Sequence, residues 1–329
     1  MNYQQIEAVC GIVRCGFNIS AAAEALHRAQ PTLSRQIQDL ERELGVRIFT
    51  RTRNKVVALT PEGEVVLRIG QRIVRDVKNL AQVGNFESAN GPAELKIATT
   101  HLHARYSLPH VIKAFATRHP GVLLTLRQGD PIQCCELVAA GEADIGVTTV
   151  GKRTVGEIVT IPAFRLARCV IAPRDHPIVR EKKLTLRKLA EYPIVAYSAP
   201  FSGRWIVDEA FARAGLRPHV VCSAIDADVS KTYVELGMGI AVLARIAFEP
   251  ARDQNLVAMA ADHLFAPSIL NLVLRKHGYL SRHAHEFLSM FAPHIDADLV
   301  RKGMDGAELD CGRLSQEAPL AKFPQLTSS

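Results

Sequence analysis

The sequence predicts a multidomain protein of the α+β class. In the first sixty residues apolar side chains recur at helical spacing, whereas from Leu95 onward short apolar runs alternate with helical segments. The length of 329 residues suits two or three domains at roughly 100–200 residues each. Hydrophobic residues make up 48% and charged residues 22% of the chain, a balance that excludes general disorder.

The N-terminal sixty residues predict three helices followed by a hairpin. Ile6, Val9 and Val13 mark the first helix, and the alanine-rich residues 20–26 form the second. Pro31 suits the first turn of a third helix, which Gly45 ends. The predicted buried stripe of this third helix comprises Leu33, Ile37, Leu40 and Leu44. A short helix, a tight turn and a second helix with a polar outer face form a helix-turn-helix.

The polar face of the third helix indicates contact with double-stranded DNA. Arginine and glutamine make bidentate bonds to base edges, whereas threonine and serine reach phosphates. The segments 46–49 and 56–59 predict a hairpin "wing" with a basic tip that would lie against the DNA backbone. Between Arg28 and Lys55, seven basic residues face three acidic ones, so most of the chain's net charge of +7 lies here. The candidate DNA-binding residues are Gln30, Pro31, Thr32, Ser34, Arg35, Gln36, Arg51 and Arg53. The alternative is a small helical domain with a solvated charged face.

The segment after the hairpin predicts a long helix that pairs two chains. Thr60 is a capping residue and Pro61 suits the first helical position. Apolar residues then follow at steps of three and four, at Val66, Ile69, Ile73, Val77 and Leu80. This spacing is typical of a two-stranded coiled coil, although the helix could instead pack on its own domain. Residues 84–92 form a polar hinge.

These residues resemble the LysR-type transcriptional regulators. The match runs through residues 21–26, 30–37, 40–41, 44–45, 48–49, 51 and 59–63, and Ala29 departs from it where the family usually has serine. The resemblance implies a winged helix-turn-helix, a dimerisation helix and a two-lobed, periplasmic-binding-protein-like α/β effector domain. The implied domains are residues 1–60, 61–92, 93–295 and a C-terminal extension at 296–329. It also implies a homotetramer, a dimer of dimers, on a palindromic promoter site.

The C-terminal two-thirds predict an α/β fold with mainly parallel strands. The candidate strands are residues 95–98, 123–126, 145–147, 169–171, 194–196, 220–222, 240–243 and 270–274. Ligands bind beyond the carboxyl ends of such strands, often at helix N-termini that attract anions. Small polar residues stand at these points, notably Thr99, Thr149, Ser202 and Asp226.

Within the family, this region resembles the CysB-like regulators of sulfur assimilation, on residues 98–101, 104–109, 142–145 and 226–234 among others. In that branch hydroxyls and backbone amides hold a sulfate-like anion between the lobes, which implies roles for Thr100, Thr149 and Ser202. A lysine on a helix is most often a solvated surface residue, and the resemblance implies instead a ligand-facing or domain-bracing role for Lys231. The candidate effector-binding residues are Thr99, Thr100, His101, Leu102, His103, Thr149, Ser202, Gly203, Asp226 and Lys231.

Leu102 and His103 stand where the family has threonine and glutamine. This exchange favours a larger ligand with an apolar part and an anionic head over sulfate itself. We therefore expect a small anionic effector of the sulfate, sulfonate or acetylated-serine class and no other cofactor. The alternatives are a LysR-type regulator of an unrelated carboxylate or aromatic acid, or a small-molecule-binding α/β protein whose helical N-terminus only dimerises.

The sequence contains no strong motif for other functional classes. No nucleophile-and-base motif indicates an enzyme. The N-terminus has neither the basic nor the apolar part of a secretory signal, and no apolar run reaches the roughly 18 residues of a membrane span, so we expect a cytoplasmic protein. His101 and His103 lack a nearby acid or cysteine and make a weak metal site. Cys134 and Cys135 are interpreted as buried thiols, with a redox pair as the alternative.

Overall fold

The computed structural model describes residues 1–52, 55–84, 93–149, 156–199, 201–307 and 321–322. The chain forms two compact units, Met1–Asn90 and Gly91–Ser329. Among the described residues, no single helix has the length and hydropathy of a membrane span. Only the two N-terminal helices taken together, bent by 120°, reach that composition.

The first unit contains the predicted helix-turn-helix and hairpin. Its elements are α1 (Tyr3–Arg14), α2 (Ile19–Ala25), α3 (Gln30–Leu44), β1 (Phe49–Thr52), β2 (Lys55–Leu59) and α4 (Pro61–Gly84). Ile12, Leu33 and Leu40 are fully buried in one apolar cluster with Ile37 and Phe49. The cluster joins α1, α3 and the hairpin, so the stripe predicted on α3 forms the centre of this core.

Two boundaries in this unit differ from the sequence prediction. Leu44 was assigned to the buried stripe, and this is wrong, since its side chain is 39% exposed. Leu44 is the last residue of α3, where Gly45 turns the chain away with a left-handed φ of 69°. The first hairpin strand begins at Phe49 rather than at residue 46, because Ile48 and Phe49 are held by Glu41, whose Oε1 accepts both backbone N–H groups at 2.9 and 3.2 Å.

Helix α4 begins as predicted at a Thr60 cap. The Thr60 Oγ1 accepts the backbone N–H of Gly63 at 2.9 Å, and the Thr60 carbonyl accepts that of Glu64 at 3.0 Å. Gly63 permits a close crossing, since a Cβ there would lie 2.0 Å from the carbonyl oxygen of Ile48. The cap and the glycine together fix the direction in which α4 leaves the hairpin.

The apolar seam of α4 is shared between two environments. Ile73 packs with the buried Val74 against Ile6 and Cys10 of α1, as the alternative of packing within the domain predicts. Ile69 and Val77 are exposed, and Leu80 is 70% exposed. One edge of the helix therefore belongs to its own domain, while the other edge remains open for a second chain.

The second unit consists of two α/β lobes. Lobe I contains β3 (Ala93–Thr99), α5 (His101–Tyr106), α6 (Pro109–Arg118), β4 (Val122–Gln128), α7 (Pro131–Ala139), β5 (Ile145–Thr148), β6 (Ile158–Leu166), β12 (Ser268–Arg275), α11 (Arg282–Phe291), α12 (Ala297–Met304) and the two-residue β13 (Ala321–Lys322). Lobe II contains β7 (Arg168–Pro173), α8 (Leu186–Ala190), β8 (Pro193–Tyr197), α9 (Ser202–Arg213), β9 (His219–Ala224), α10 (Ala227–Glu235), β10 (Ile240–Ala244) and β11 (Leu256–Ala260).

The two sheets have the orders β13-β6-β12-β5-β3-β4 and β11-β7-β10-β8-β9. All eight predicted strands are present, but β6, β11 and the two-residue β13 were not predicted. The sheets are mixed rather than mainly parallel, because β12 runs antiparallel to β5 and β6, and β7 runs antiparallel to β10 and β11. Only Ala167 separates β6 from β7, so the chain passes directly from one lobe to the other at this point.

The C-terminal helix extends the core of lobe I beyond the predicted domain end at residue 295. Val300 and Met304 of α12 are buried in the same cluster as Phe291. The first residues of the predicted C-terminal extension, 296–329, therefore belong to the core of lobe I. Residues 308–320 and 323–329 of the predicted extension lie outside the described residues.

Candidate functional site

The outer face of α3 presents the predicted DNA-contacting side chains. Gln30, Pro31 and Thr32 are exposed at the start of the helix. The Arg35 side chain is 85% exposed, and its contact with Asp39 is long, at 3.9 Å. Ala29 caps the helix without a side-chain hydrogen bond, as the departure from the family serine predicts. Thr32 and Arg35 are therefore free to reach outward from a rigid helix.

Other predicted contacts are partly engaged in the fold. The Gln36 Nε2 donates to Gln4 Oε1 of α1 at 3.3 Å, and its Oε1 accepts from Arg28 at 3.3 Å. Arg51 forms an ion pair with Glu41 at 3.4 Å. Ser34 is half-buried. Arg53 lies outside the described residues.

A cavity of about 400 Å³, including its open mouth, lies between the two lobes. Its walls combine the ends of strands with the starts of helices, as the topology predicts. The predicted residues that line it are Thr100, Leu102, Thr149, Ser202, Gly203 and Asp226. The lining residues that sequence reasoning missed are Leu166, Arg168, Tyr197, Phe201, Ile225, Ala244 and Ser268.

Arg168 supplies a buried positive charge to this cavity. It is the first residue of β7, directly after the crossing between lobes, and it is only 2% exposed. One guanidinium nitrogen donates to Ser268 Oγ of lobe I, and Ser268 Oγ lies 3.0 Å from Ser202 Oγ. No carboxylate among the described residues lies within ion-pair distance of Arg168. Burial accordingly lowers the pKa of the guanidinium, while the nearby Tyr197 acts in the opposite direction.

Two polar atoms at this site have no hydrogen-bond partner within the described part of the chain: Nε of Arg168 and the hydroxyl of Tyr197. Burial raises the pKa of Tyr197, so the hydroxyl keeps its proton and is a donor. Gly203, at the start of α9, makes room between the two side chains. A Cβ at this position would lie 2.6 Å from the Tyr197 ring and 3.0 Å from Arg168 Nη1.

Lys231 lies outside the cavity lining and acts as the brace that the sequence left as an alternative. Its ammonium donates to both Asp253 oxygens at 2.9 and 3.0 Å, to the Ala247 carbonyl at 2.8 Å and to the Tyr106 hydroxyl at 2.9 Å. Tyr106 belongs to lobe I and also donates to Asp228 of lobe II. These bonds tie α5 to α10 and leave the ammonium no free donor for a ligand.

His101 is part of the same inter-lobe connection, with Nε2 at 2.9 Å from Asp228 Oδ2. Desolvation raises the pKa of Asp228, but hydrogen bonds from Tyr106 and His101, together with Lys231, outweigh it and lower the pKa overall. His101, Asp226 and Asp228 could supply three ligand atoms to a metal ion. The Asp228 carboxylate already accepts from three side chains, so the cluster satisfies itself without an ion.

His103 and Thr99 also lie away from the cavity. His103 is fully buried in lobe I, with Nδ1 at 3.0 Å from Ser107 Oγ, and burial lowers its pKa to about 3. Thr99 donates from its hydroxyl to the Val147 carbonyl at 2.8 Å. Both residues are therefore core residues, because they point into lobe I from the end of β3 and from α5.

The adjacent cysteines of α7 are both buried. Desolvation raises the pKa of Cys134 to about 12 and that of Cys135 to about 11. Both thiols remain protonated near neutral pH, whereas oxidant sensing uses accessible thiolates. The arrangement favours buried structural thiols over a redox pair.

A helix-turn-helix joined to a two-lobed domain with a polar inter-lobe cavity defines a ligand-responsive DNA-binding regulator. Two family models match the chain: bacterial regulatory helix-turn-helix protein, lysR family, over residues 3–64, and LysR substrate binding domain over residues 89–296. The chain belongs to the LysR family of transcriptional regulators. The sequence-based assignment to a regulator rather than an enzyme is confirmed by its relatives.

Among those relatives is the HTH-type transcriptional regulator SsuR of Burkholderia cenocepacia, 44% identical over 92% of this chain and 100% of the relative. The HTH-type transcriptional regulator CysB of the same organism is 40% identical over 93% of this chain and 98% of its own length. The predicted resemblance to the CysB-like branch is thereby confirmed. The solved cofactor-binding domain of the Cbl transcriptional regulator matches with a TM-score of 0.63 and 35% identity, covering 67% of this chain and 96% of that chain.

Proposed function

We propose that this LysR-family regulator responds to a small anion bound in the cavity between its lobes. The observation that supports this most strongly is Arg168, a buried guanidinium that lines the cavity and has no carboxylate partner among the described residues. Burying an unpaired charge is unfavourable, so a ligand of opposite charge stabilises the site when it binds. The hydroxyls of Thr100, Thr149 and Ser202 add neutral donors around it.

The metabolic setting that fits this chain is sulfur or organosulfur metabolism. The CysB-like branch was predicted from the sequence, and the similarity to regulators named CysB and SsuR supports that setting. A regulator of the same family that senses an unrelated carboxylate or aromatic acid is the second candidate. The apolar Leu102 and Phe201 in the cavity wall favour it over a sensor of inorganic sulfate.

Titration calorimetry of the full chain with sulfate, an acetylated serine, 1-butanesulfonate and pentanoate tests the effector. We expect at least one of these anions to bind and to change the affinity of the protein for its promoter. Thr149→Val and Ser202→Ala should weaken that binding, since each removes a cavity hydroxyl. If none of the four anions binds, the proposal of an anionic effector of this kind is wrong.

On DNA, Thr32 and Arg35 would read the major groove, with Gln30 near the helix start and the wing against the backbone. The exposure of Arg35 supports this role, whereas the bonds of Gln36 and Arg51 within the fold favour positioning roles for these two residues. We further propose a dimer of dimers, in which the exposed edge of α4 pairs between chains. We propose the domain limits 1–60, 61–92, 93–295 and 296–329, except that α12 belongs to the effector domain.

A further inference from the structure

The effector itself, we infer, is an organic monoanion with an apolar body, and its acidic head is bound by the Arg168 guanidinium and the Tyr197 hydroxyl. This inference rests on the proposed effector cavity and specifies which chemistry the cavity accepts. It depends on three features of the lining residues: two unused donors, the local charge and the apolar wall.

The unused donors define where the head binds. Nε–H of Arg168 and O–H of Tyr197 are both buried and without a partner among the described residues. Buried donors without partners are rare, because each forgoes the hydrogen bond that it makes in water. An acidic head group that accepts from both restores the two missing bonds.

The surroundings of Gly203 show that the side chains carrying the two donors are neighbours. The point where a Cβ of Gly203 would stand is 3.0 Å from Arg168 Nη1 and 3.1 Å from Tyr197 Cε2. Both side chains therefore flank the start of α9, next to the Ser202 hydroxyl. On this inference, the head group binds beside the start of α9, where Arg168, Tyr197 and Ser202 all line the cavity.

The charge of the lining favours one negative charge over two. Arg168 is the only basic residue among the described lining residues, and Asp226 is the only acidic one. A dianion such as sulfate would leave two uncompensated charges in this set, whereas a monoanion would leave one. Because uncompensated charge in a poorly solvated site is strongly unfavourable, the cavity selects the monoanion.

The remaining wall is apolar and lies beside the donors. Leu102, Leu166, Phe201, Ile225 and Ala244 line the cavity, and the rings of Phe201 and Tyr197 stack with centroids 5.8 Å apart. Inorganic sulfate has no apolar atoms that could be buried against this wall. A short aliphatic or aromatic body buries it and gains roughly 25 cal/mol for each Å² removed from water.

The test compares three probes on the full chain by calorimetry: 1-butanesulfonate, pentanoate and inorganic sulfate. The first two carry the same four-carbon body and one charge, so they distinguish a sulfonate from a carboxylate head. We expect one or both to bind at least about tenfold more tightly than sulfate. If sulfate binds as tightly as the better-bound of the two organic anions, the inference is overturned while the anionic effector stands. If none of these three probes binds, the inference is overturned, and the proposed function fails as well if an acetylated serine also does not bind.

Four variants locate the head group. Arg168→Met removes the charge and should weaken binding by roughly 10–150-fold, the range for a hydrogen-bonded charge. Arg168→Lys keeps the charge but loses the planar fork, and we expect an intermediate loss. Tyr197→Phe should weaken binding about fivefold, since it removes one neutral donor. Arg165→Met is the matched control, because Arg165 is an exposed arginine of the neighbouring strand outside the lining, and binding should not change.

The thermal stability of the ligand-free protein separates binding from architecture. A purely structural Arg168 predicts that Arg168→Met melts at a lower temperature and that any binding loss follows from damage to the fold. The inference predicts the reverse, a melting temperature equal to or above that of the parent, because an unpaired buried charge is removed. Unchanged binding in both Arg168→Met and Tyr197→Phe would overturn the assignment. Should Arg168→Met fail to fold, Arg168→Lys and Tyr197→Phe still decide it.

Discussion

Replacing Lys231 by methionine should destabilise the effector unit strongly without acting through the ligand. The Lys231 and Asp253 side chains are only 7% and 11% exposed, and their charged atoms meet at 2.9 Å. Methionine keeps most of the side-chain volume but removes the ammonium. Among the described donors, the Asp253 carboxylate then keeps only the Glu249 backbone N–H, at 2.8 Å. Breaking a buried ion pair by removing one partner lowers the free energy of unfolding by about 3–5 kcal/mol.

For a unit of this size each kcal/mol shifts the melting temperature by about 2–4 °C, so the variant should melt roughly 6–20 °C lower. Urea unfolding followed by circular dichroism gives the free energy directly. The double variant Lys231→Met/Asp253→Asn should be less destabilised than the sum of the single changes, since it removes both charges together. If the free energy of unfolding falls by less than about 1 kcal/mol, or if the two single changes are strictly additive in the double variant, Lys231 does not act as a brace. Intact stability with lost effector binding would return Lys231 to a ligand-contacting role.

Three further predictions concern other parts of the chain. Arg35→Ala should weaken promoter binding about 5- to 150-fold in fluorescence anisotropy. The control Arg42→Ala, near the far end of α3, should weaken it only slightly. Equal effects would contradict the proposal that Arg35 contacts the bases. Burial lowers the pKa of His103 to about 3. Below pH 6.5 the unfolded chain therefore binds a proton at His103 that the folded chain does not bind. The free energy of unfolding should fall by roughly 2 kcal/mol between pH 6.5 and 5. His103→Gln should remove this slope in urea titrations and the exposed His110→Gln should not; an unchanged slope in His103→Gln would place the titration elsewhere. Thr60→Ala should cost about 1 kcal/mol through loss of the α4 cap, measured by thermal unfolding, and no change would show that the backbone alone sets the helix start.

The helical part of the fold could be predicted because its signals are local. Thr60, Pro61 and Gly45 act on the residues next to them, and the α3 stripe repeats at the helical period. Strand β6 was missed for a local reason as well, because Pro162 inside a strand argues against it. The structure accommodates this proline opposite Asn271, beside a shift in register between Leu270 and Asn271. Strand direction is set by non-local pairing, so the antiparallel pairs were not evident from the sequence.

The candidate effector site was predictable only in its polar rim. Thr100, Thr149 and Ser202 follow strands or begin helices, and parallel topology brings such positions together. Arg168 gave no comparable signal, because an arginine at the edge of an apolar run is usually a strand end that reaches solvent. It is buried because the chain crosses between lobes within one residue, Ala167, and this brings the guanidinium to Ser268, at the start of β12 in lobe I.

The same two helices carry both the cavity lining and the brace between the lobes. Helix α5 begins after Thr100 in the cavity and ends at Tyr106, while α10 begins after Asp226 and carries Lys231. A ligand shifts a conformational equilibrium only by the difference in its affinity for the two states. Contacts between the effector and a single lobe are the same in any arrangement of the lobes, so they increase the affinity without shifting the equilibrium. In the proposed complex, contacts that span the lobes, from Thr100 and Thr149 on one side and Arg168 on the other, change with the separation of the lobes. We therefore expect the coupling between effector and DNA to arise there.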